Sequence, residues 1–284
     1  KKLVNYIYER EGHKEIKSVD QIPVDFCEYQ KRNTNKVLNV GDDSVPIVIT
    51  GVENNSDLIP EFVYLRDRYI IDLSNKNSCF ILDSEAWDQQ IFHDDNVFPL
   101  FKSINDLYFA EKQSDKINFL QINCSEVSNE NLSKLRNQKN LVLILETSNK
   151  NGFADQRAAF LKLMNVEFKI PVIIKRKYCE NDLEDLQLKS ASDIGGLFLD
   201  GLGDGVWIEN QGNIDEQDII NASFGILQAS RVRVSKTEYI SCPGCGRTLY
   251  DLQKTTQIIR EKTSHLKNLK IGIINKISFI NGNI

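Results

Sequence analysis

The sequence predicts an α/β protein with a mostly parallel sheet over residues 46–235 and a smaller, separate α+β region over residues 236–284. Three observations carry this. Strand-sized apolar runs alternate with helix-spaced stretches from Pro46 onward, the pattern of a parallel sheet with crossover helices. The preceding residues, 1–45, are polar and turn-rich, as in Asn33-Thr-Asn35 and Asp42-Asp43, and read as a helical tail plus linker with little that could form a core. Near the end, a strand candidate runs directly into Cys242-Pro-Gly-Cys245, and a long helix candidate follows.

Taken in order, Ile47–Thr50 is a short β-branched run, the signature of a buried strand. Tyr69–Leu73, Cys79–Leu82, Ile117–Ile122, Leu141–Leu145 and Pro171–Ile174 repeat it. Helix candidates fall between them at Ser128–Arg136, Asp155–Val166 and Asp182–Leu188; in the second, Ala158, Phe160, Leu161 and Met164 recur at nearly helical spacing. Leu197–Asp200 reads as one more strand, Gly201-Leu-Gly-Asp-Gly205 as a turn, and 206–208 as an apolar run. Residues 214–229 read as a helix, Arg231–Val234 and Glu238–Ile240 as strand, 249–266 as a weakly apolar helix, and Lys270–Ile274 as strand. Periodicity does not choose between a closed barrel and an open sheet.

A hydrophobic fraction of 41% and a charged fraction of 26% place the chain among folded globular proteins. The net charge of −5 argues against nucleic acid or an acidic membrane surface as partner. No apolar run reaches the ~20 residues of a membrane-spanning helix. The chain opens on Lys1-Lys2, and the expectation is that it begins partway through a longer reading frame. Six cysteines in a chain of 284 residues are too sparse for a secreted disulfide scaffold, so a reducing, cytoplasmic compartment is expected.

Cys242 and Cys245 are the strongest candidate site. Two thiolates two residues apart reach one metal centre from a tight turn, Gly244 and Gly246 let the backbone bend, and a helix N-terminus favours thiolate. Three readings compete: a dithiol redox couple, half of a metal or iron–sulfur site, and a structural turn. Zinc would call for a second close pair, which the sequence lacks. Gly201–Gly205 could approach a phosphate, with Asp204 on a metal or hydroxyl, but a tight turn is the simpler account. Cys27, Cys79, Cys124 and Cys179 read as small core residues, and His13 and His93 as isolated. His265 reads as a helix C-terminal cation, and Trp87 and Trp207 as packing. Asp182, Glu184 and Asp185 read as a solvated helix start.

Thr237-Glu-Tyr-Ile-Ser-Cys-Pro-Gly-Cys-Gly-Arg-Thr-Leu-Tyr-Asp-Leu-Gln253, continued by Ile259-Arg-Glu-Lys-Thr-Ser-His-Leu266, resembles the cluster-domain entry of the 4-hydroxy-3-methylbut-2-enyl diphosphate synthase family. Gly195-Gly-Leu-Phe-Leu-Asp-Gly-Leu-Gly-Asp-Gly-Val206 and Ser223-Phe-Gly-Ile-Leu-Gln228 resemble it as well, in the three-domain form of plants and Bacteroidetes-type bacteria. The resemblance implies that residues 46–235 are a TIM-barrel-like insert domain and that 236–284 begin a [4Fe-4S] domain. It implies reductive ring opening of 2-C-methyl-D-erythritol 2,4-cyclodiphosphate, with two electrons from ferredoxin or flavodoxin. Nucleic acid and membrane are not implied as partners, and a homodimer is left open. Cys242 and Cys245 match the first two of the three cysteines that, with one glutamate, hold the family's cluster. The third cysteine and the glutamate have no counterpart between Ile274 and Ile284, although Asn281-Gly282 echoes a family Asn-Gly. The first, substrate-binding barrel has no counterpart either, so this length alone is expected to be inactive. A thioredoxin-like dithiol protein and a non-catalytic scaffold are the rival expectations.

Overall fold

The computed structural model describes residues 1–10, 15–16, 18–19, 23–25, 28–51, 58–65, 78–89, 95–241, 251–266, 269–273 and 277–280. It divides into two compact units, residues 1–232 and 233–284.

The first unit opens with helix α1 (Lys2–Glu9). Its strands follow as β1 (Ile47–Thr50), β2 (Phe62–Leu65), β3 (Cys79–Asp83) and β4 (Val97–Phe101), then β5 (Asn118–Asn123), β6 (Leu141–Glu146), β7 (Val172–Tyr178) and β8 (Gly205–Asn210). All eight are parallel and close into a barrel in sequence order. Closure between β8 and β1 runs from Ile47↔Gly205 to Ile49↔Trp207, which decides the barrel against the open sheet. The crossovers are α2 (Ser84–Asp88), α3 (Ile104–Tyr108), α4 (Asn129–Leu135), α5 (Gly152–Asn165) and α6 (Leu183–Ser190). A π-helical turn, Ala191–Gly195, leads from α6 into α7 (Gly196–Leu199), and α8 (Glu216–Ala229) follows β8.

Successive strand residues face opposite sides, so one strand serves two cores. Val142, Ile144 and Ile173 point into the barrel with Phe62, Phe98, Phe119 and Trp207. Leu141, Leu143, Leu145, Val172 and Ile174 point outward under the helices, with Phe160, Leu186 and Phe224. That double burial explains the unbroken apolar runs that mark β6 and β7 in the sequence.

Several expectations change. Residues 1–45 do contribute core: Val37 and Val40 pair in a tight antiparallel turn and are buried with the barrel's interior residues. Leu197–Asp200 is not a strand; Gly196–Leu199 is helix α7. A buried helical turn and a buried strand look alike as a short apolar run. Gly201 then ends α7 at φ +74°, with Gly201 N–H donating to Phe198 O and Leu202 N–H to Leu197 O, a Schellman cap. A Cβ at Gly201 would fall 2.1 Å from Gln30 O, so the loop is a helix stop pressed against a second backbone segment. Arg231–Val234 is not strand either: Arg231 takes φ +63° as the chain leaves α8. The candidate strand Tyr69–Leu73 lies outside the described residues, as do His13, His93 and Cys27. β2 and β4 are strands that the apolar-run pattern did not reveal.

In the second unit, β9 (Glu238–Ser241) and β10 (Lys270–Ile273) are parallel, and β11 (Ile277–Ile280) pairs antiparallel with β10. Helix α9 (Leu252–Thr263) makes the crossover, capped by Asp251, whose carboxylate accepts from Lys254 N–H at 3.0 Å. Tyr239 Oη and Thr263 Oγ1, 2.7 Å apart, hold this helix on β9. His265 lies just past its C-terminal residue.

Candidate functional site

One group of polar residues of the first unit lies at the C-terminal ends of the barrel strands, where β/α barrels place their chemistry. β7 supplies a charged run of them, because its apolar stretch closes on Lys175-Arg176-Lys177. Lys175 follows the inward-facing Ile173 by two and stays inside the barrel. Its ammonium donates to Gln121 Oε1 at 3.0 Å, lies 3.2 Å from Glu209 and 3.8 Å from Glu146, and sits 3.7 Å above the Trp207 ring. Burial lowers its pKa, with Glu209 pulling the other way. Lys175, Gln121, Glu209, Glu146 and Trp207 thus form one polar layer inside the barrel.

Arg176 points outward, toward a second charged cluster centred on Asp193 in the π-helical turn. Asp193 is fully buried. Its carboxylate accepts from Tyr6 Oη and Arg10 Nη2, both at 2.7 Å, from Tyr178 Oη at 3.0 Å and from Arg176 Nη2 at 3.1 Å. Such a turn aims a side chain that a regular helix would carry elsewhere, and these insertions recur at functional sites. Burial pushes both tyrosine hydroxyls up, and the Asp193 carboxylate adds to it. Arg176 Nη1 also donates to Thr147 O at 3.0 Å. A Cβ on Gly152 would lie 2.2 Å from its guanidinium carbon, so a larger residue at the start of α5 would displace the Arg176 head group. Lys2 at the other end of α1 reaches Asp182, Glu184 and Asp185 at 3.2, 2.9 and 3.0 Å. The acidic start of α6 is therefore a docking point for α1 and not only a solvated face.

Between these elements lies a cavity of about 720 Å³, lined by α1, the β6–α5 loop and the end of β7.

The residues singled out in the sequence fall elsewhere. Cys242 and Cys245 lie outside the described residues, between β9 and the cap of α9; the helix itself begins at Leu252. Among the described residues no three His, Cys, Asp or Glu side chains converge as a metal site. Cys79 is half-buried, Cys124 buried and Cys179 exposed, so the core reading fails at Cys179. Among the described residues these three cysteines do not gather as a ligand group. Asp204 is no ligand: buried at the N-terminal end of β8, it accepts from Val172 N–H at 2.9 Å and Thr34 Oγ1 at 3.2 Å and faces Arg32 at 3.9 Å. It ties the linker to the barrel floor, the face of a β/α barrel that serves stability. Trp87 and Trp207 pack as expected. Tyr6, Arg10, Arg176 and Asp193 were not foreseen; the charged run closing an apolar strand was the one signal available.

The fold and its mouth define a closed parallel β/α barrel carrying a separate small βαβ unit. No family model matches the chain. It is similar along 99% of its length to proteins named 4-hydroxy-3-methylbut-2-en-1-yl diphosphate synthase (flavodoxin), with 38% identity to that of Phocaeicola vulgatus and 36% to that of Bacteroides thetaiotaomicron. The Protochlamydia amoebophila protein of the same name is 42% identical over 140 residues, 49% of this chain and 21% of the relative. The chain belongs to the family of these synthases. It spans about half the length of the relatives it matches throughout, 46% of each of the first two. Among the described residues no helix is long and apolar enough to cross a membrane.

Proposed function

We propose that the chain serves the reaction of that family: reductive ring opening and dehydroxylation of 2-C-methyl-D-erythritol 2,4-cyclodiphosphate, with electrons delivered through a [4Fe-4S] cluster. The single observation behind this is the similarity across 99% of the chain, a stretch that includes Cys242-Pro-Gly-Cys245. In this reading residues 46–235 are the insert barrel and 236–284 begin the cluster domain, with Cys242 and Cys245 as two thiolate ligands. The division of the chain into two compact units supports that layout. The parenthetical flavodoxin in the relatives' names supports flavodoxin as the electron donor. Because no ligand set converges among the described residues, no chemical step is assigned to the cluster.

A chimera tests the reading. Residues 1–284 replace the matched stretch of the Phocaeicola vulgatus relative, and the product is expressed in a bacterium deprived of its own synthase. Growth is expected. Cys242→Ser or Cys245→Ser in the chimera should abolish both growth and the iron-dependent visible band. A folded, iron-loaded chimera that does not sustain growth would overturn the assignment. A reversible Cys242–Cys245 disulfide in a chimera that takes up no iron would do the same in favour of a dithiol protein.

A further inference from the structure

We propose that the cavity above β6 and β7 binds a small molecule carrying a phosphoryl group. The proposal uses neither cysteine and does not depend on the reaction above.

The cavity's size, about 720 Å³, suits a metabolite rather than a lone water or ion. Its charge is opposite to that of the chain. Five basic residues line it, Arg10, Lys150, Arg176, Lys177 and Lys189, against three acids, Glu9, Glu146 and Glu180. The formal balance is +2, or +1 when the underlying Asp193 is included, in a protein of net charge −5. A concave site of one sign with low-dielectric walls concentrates ligands of the other.

The pairings sharpen the ligand class. Glu146 lies 3.0 Å from Lys177, and Glu180 lies 2.7 Å from Lys189. Asp193 alone faces both Arg10 and Arg176, and the buried Nε atoms of those two arginines have no hydrogen-bond partner. One carboxylate against two guanidiniums leaves excess positive charge under the cavity floor. A monoanion would gain little over the carboxylates already in place. A phosphoryl dianion with three acceptor oxygens can draw Lys177 and Lys189 toward it and still use the exposed Lys150 and Ser148 at the rim. The first turn of α5 adds little, because Asn151 already caps it and Asp155 lies within it. Recognition therefore rests on side chains from three separate elements.

The test titrates the 284-residue chain with inorganic pyrophosphate and inorganic phosphate by calorimetry at low salt. Saturable binding at one site is expected, weakened about tenfold by Lys150→Glu, the loss of one charge-assisted contact. Arg10→Gln should weaken it similarly, and Lys116→Glu, at the N-terminal end of β5, should leave it unchanged. Circular dichroism identical to that of the parent keeps each comparison valid. Absence of saturable binding by either probe overturns the site, as does binding insensitive to both Lys150→Glu and Arg10→Gln. Equal weakening by Lys116→Glu would show a general charge effect and overturn it as well.

Discussion

The two sides of the barrel are built differently. Around β5–β8 the pairing is long: β5 and β6 stay in register from Asn118↔Leu141 to Asn123↔Glu146, and β7 and β8 from Ile173↔Gly205 to Tyr178↔Asn210. Helices α5 and α8 there have 14 residues each, and their apolar faces share one large outer core. Around β2–β4, among the described residues, the helices α2 and α3 have 5 residues each; α3 joins the large outer core through Ile104 and Leu107, while Val63, Phe80, Leu82, Trp87 and Val97 form a separate satellite cluster. The buried charges follow the deep side. Asp193, Arg176 and Lys175 lie out of water where α1, the π-helical turn and the neighbouring strands supply ionic and hydrogen-bond partners.

The comparison can be broken most severely at its charged centre. Asp193→Ala strands two guanidiniums over a buried floor, and should cost ~3–5 kcal/mol in urea unfolding. It should also release α1, read as new protease cleavage within residues 1–10. Core truncation separates the two sides next. Leu143→Ala, fully buried on β6, should cost ~3 kcal/mol, and Leu65→Ala, half-buried on β2, ~1 kcal/mol. Equal losses would remove the asymmetry. Val40→Ala, beneath the interior core, should cost ~2 kcal/mol, and a loss below ~0.5 kcal/mol would return residues 28–45 to the status of a linker.

The smallest effect concerns pH. Burial raises the Asp204 carboxyl above its usual 3.8, with Arg32 opposing. Between the unfolded and the folded pKa the folded state binds more protons at this group than the unfolded chain, so stability falls as pH rises across that interval. Titration from pH 4 toward neutrality should show this slope, and Asp204→Asn should flatten it.

What the sequence determined by itself is the set of elements that bury themselves locally. β1, β3 and β5–β7, and helices α4, α5, α6, α8 and α9, were legible because apolar spacing follows strand or helix period whatever the neighbours do. β4 escaped because Pro99 interrupts it, and α7 was mistaken for strand because four residues hold no period. The family, too, was legible, in the long match around Cys242 and Cys245. Closure of the barrel was expected through the family resemblance and not from periodicity; tertiary structure alone decided the burial of Val37 and Val40 beneath its interior and the meeting of Tyr6 and Arg10 with Asp193. Those contacts join residues far apart in the chain, and nothing in local spacing encodes a partner that only the closed barrel brings within hydrogen-bond reach.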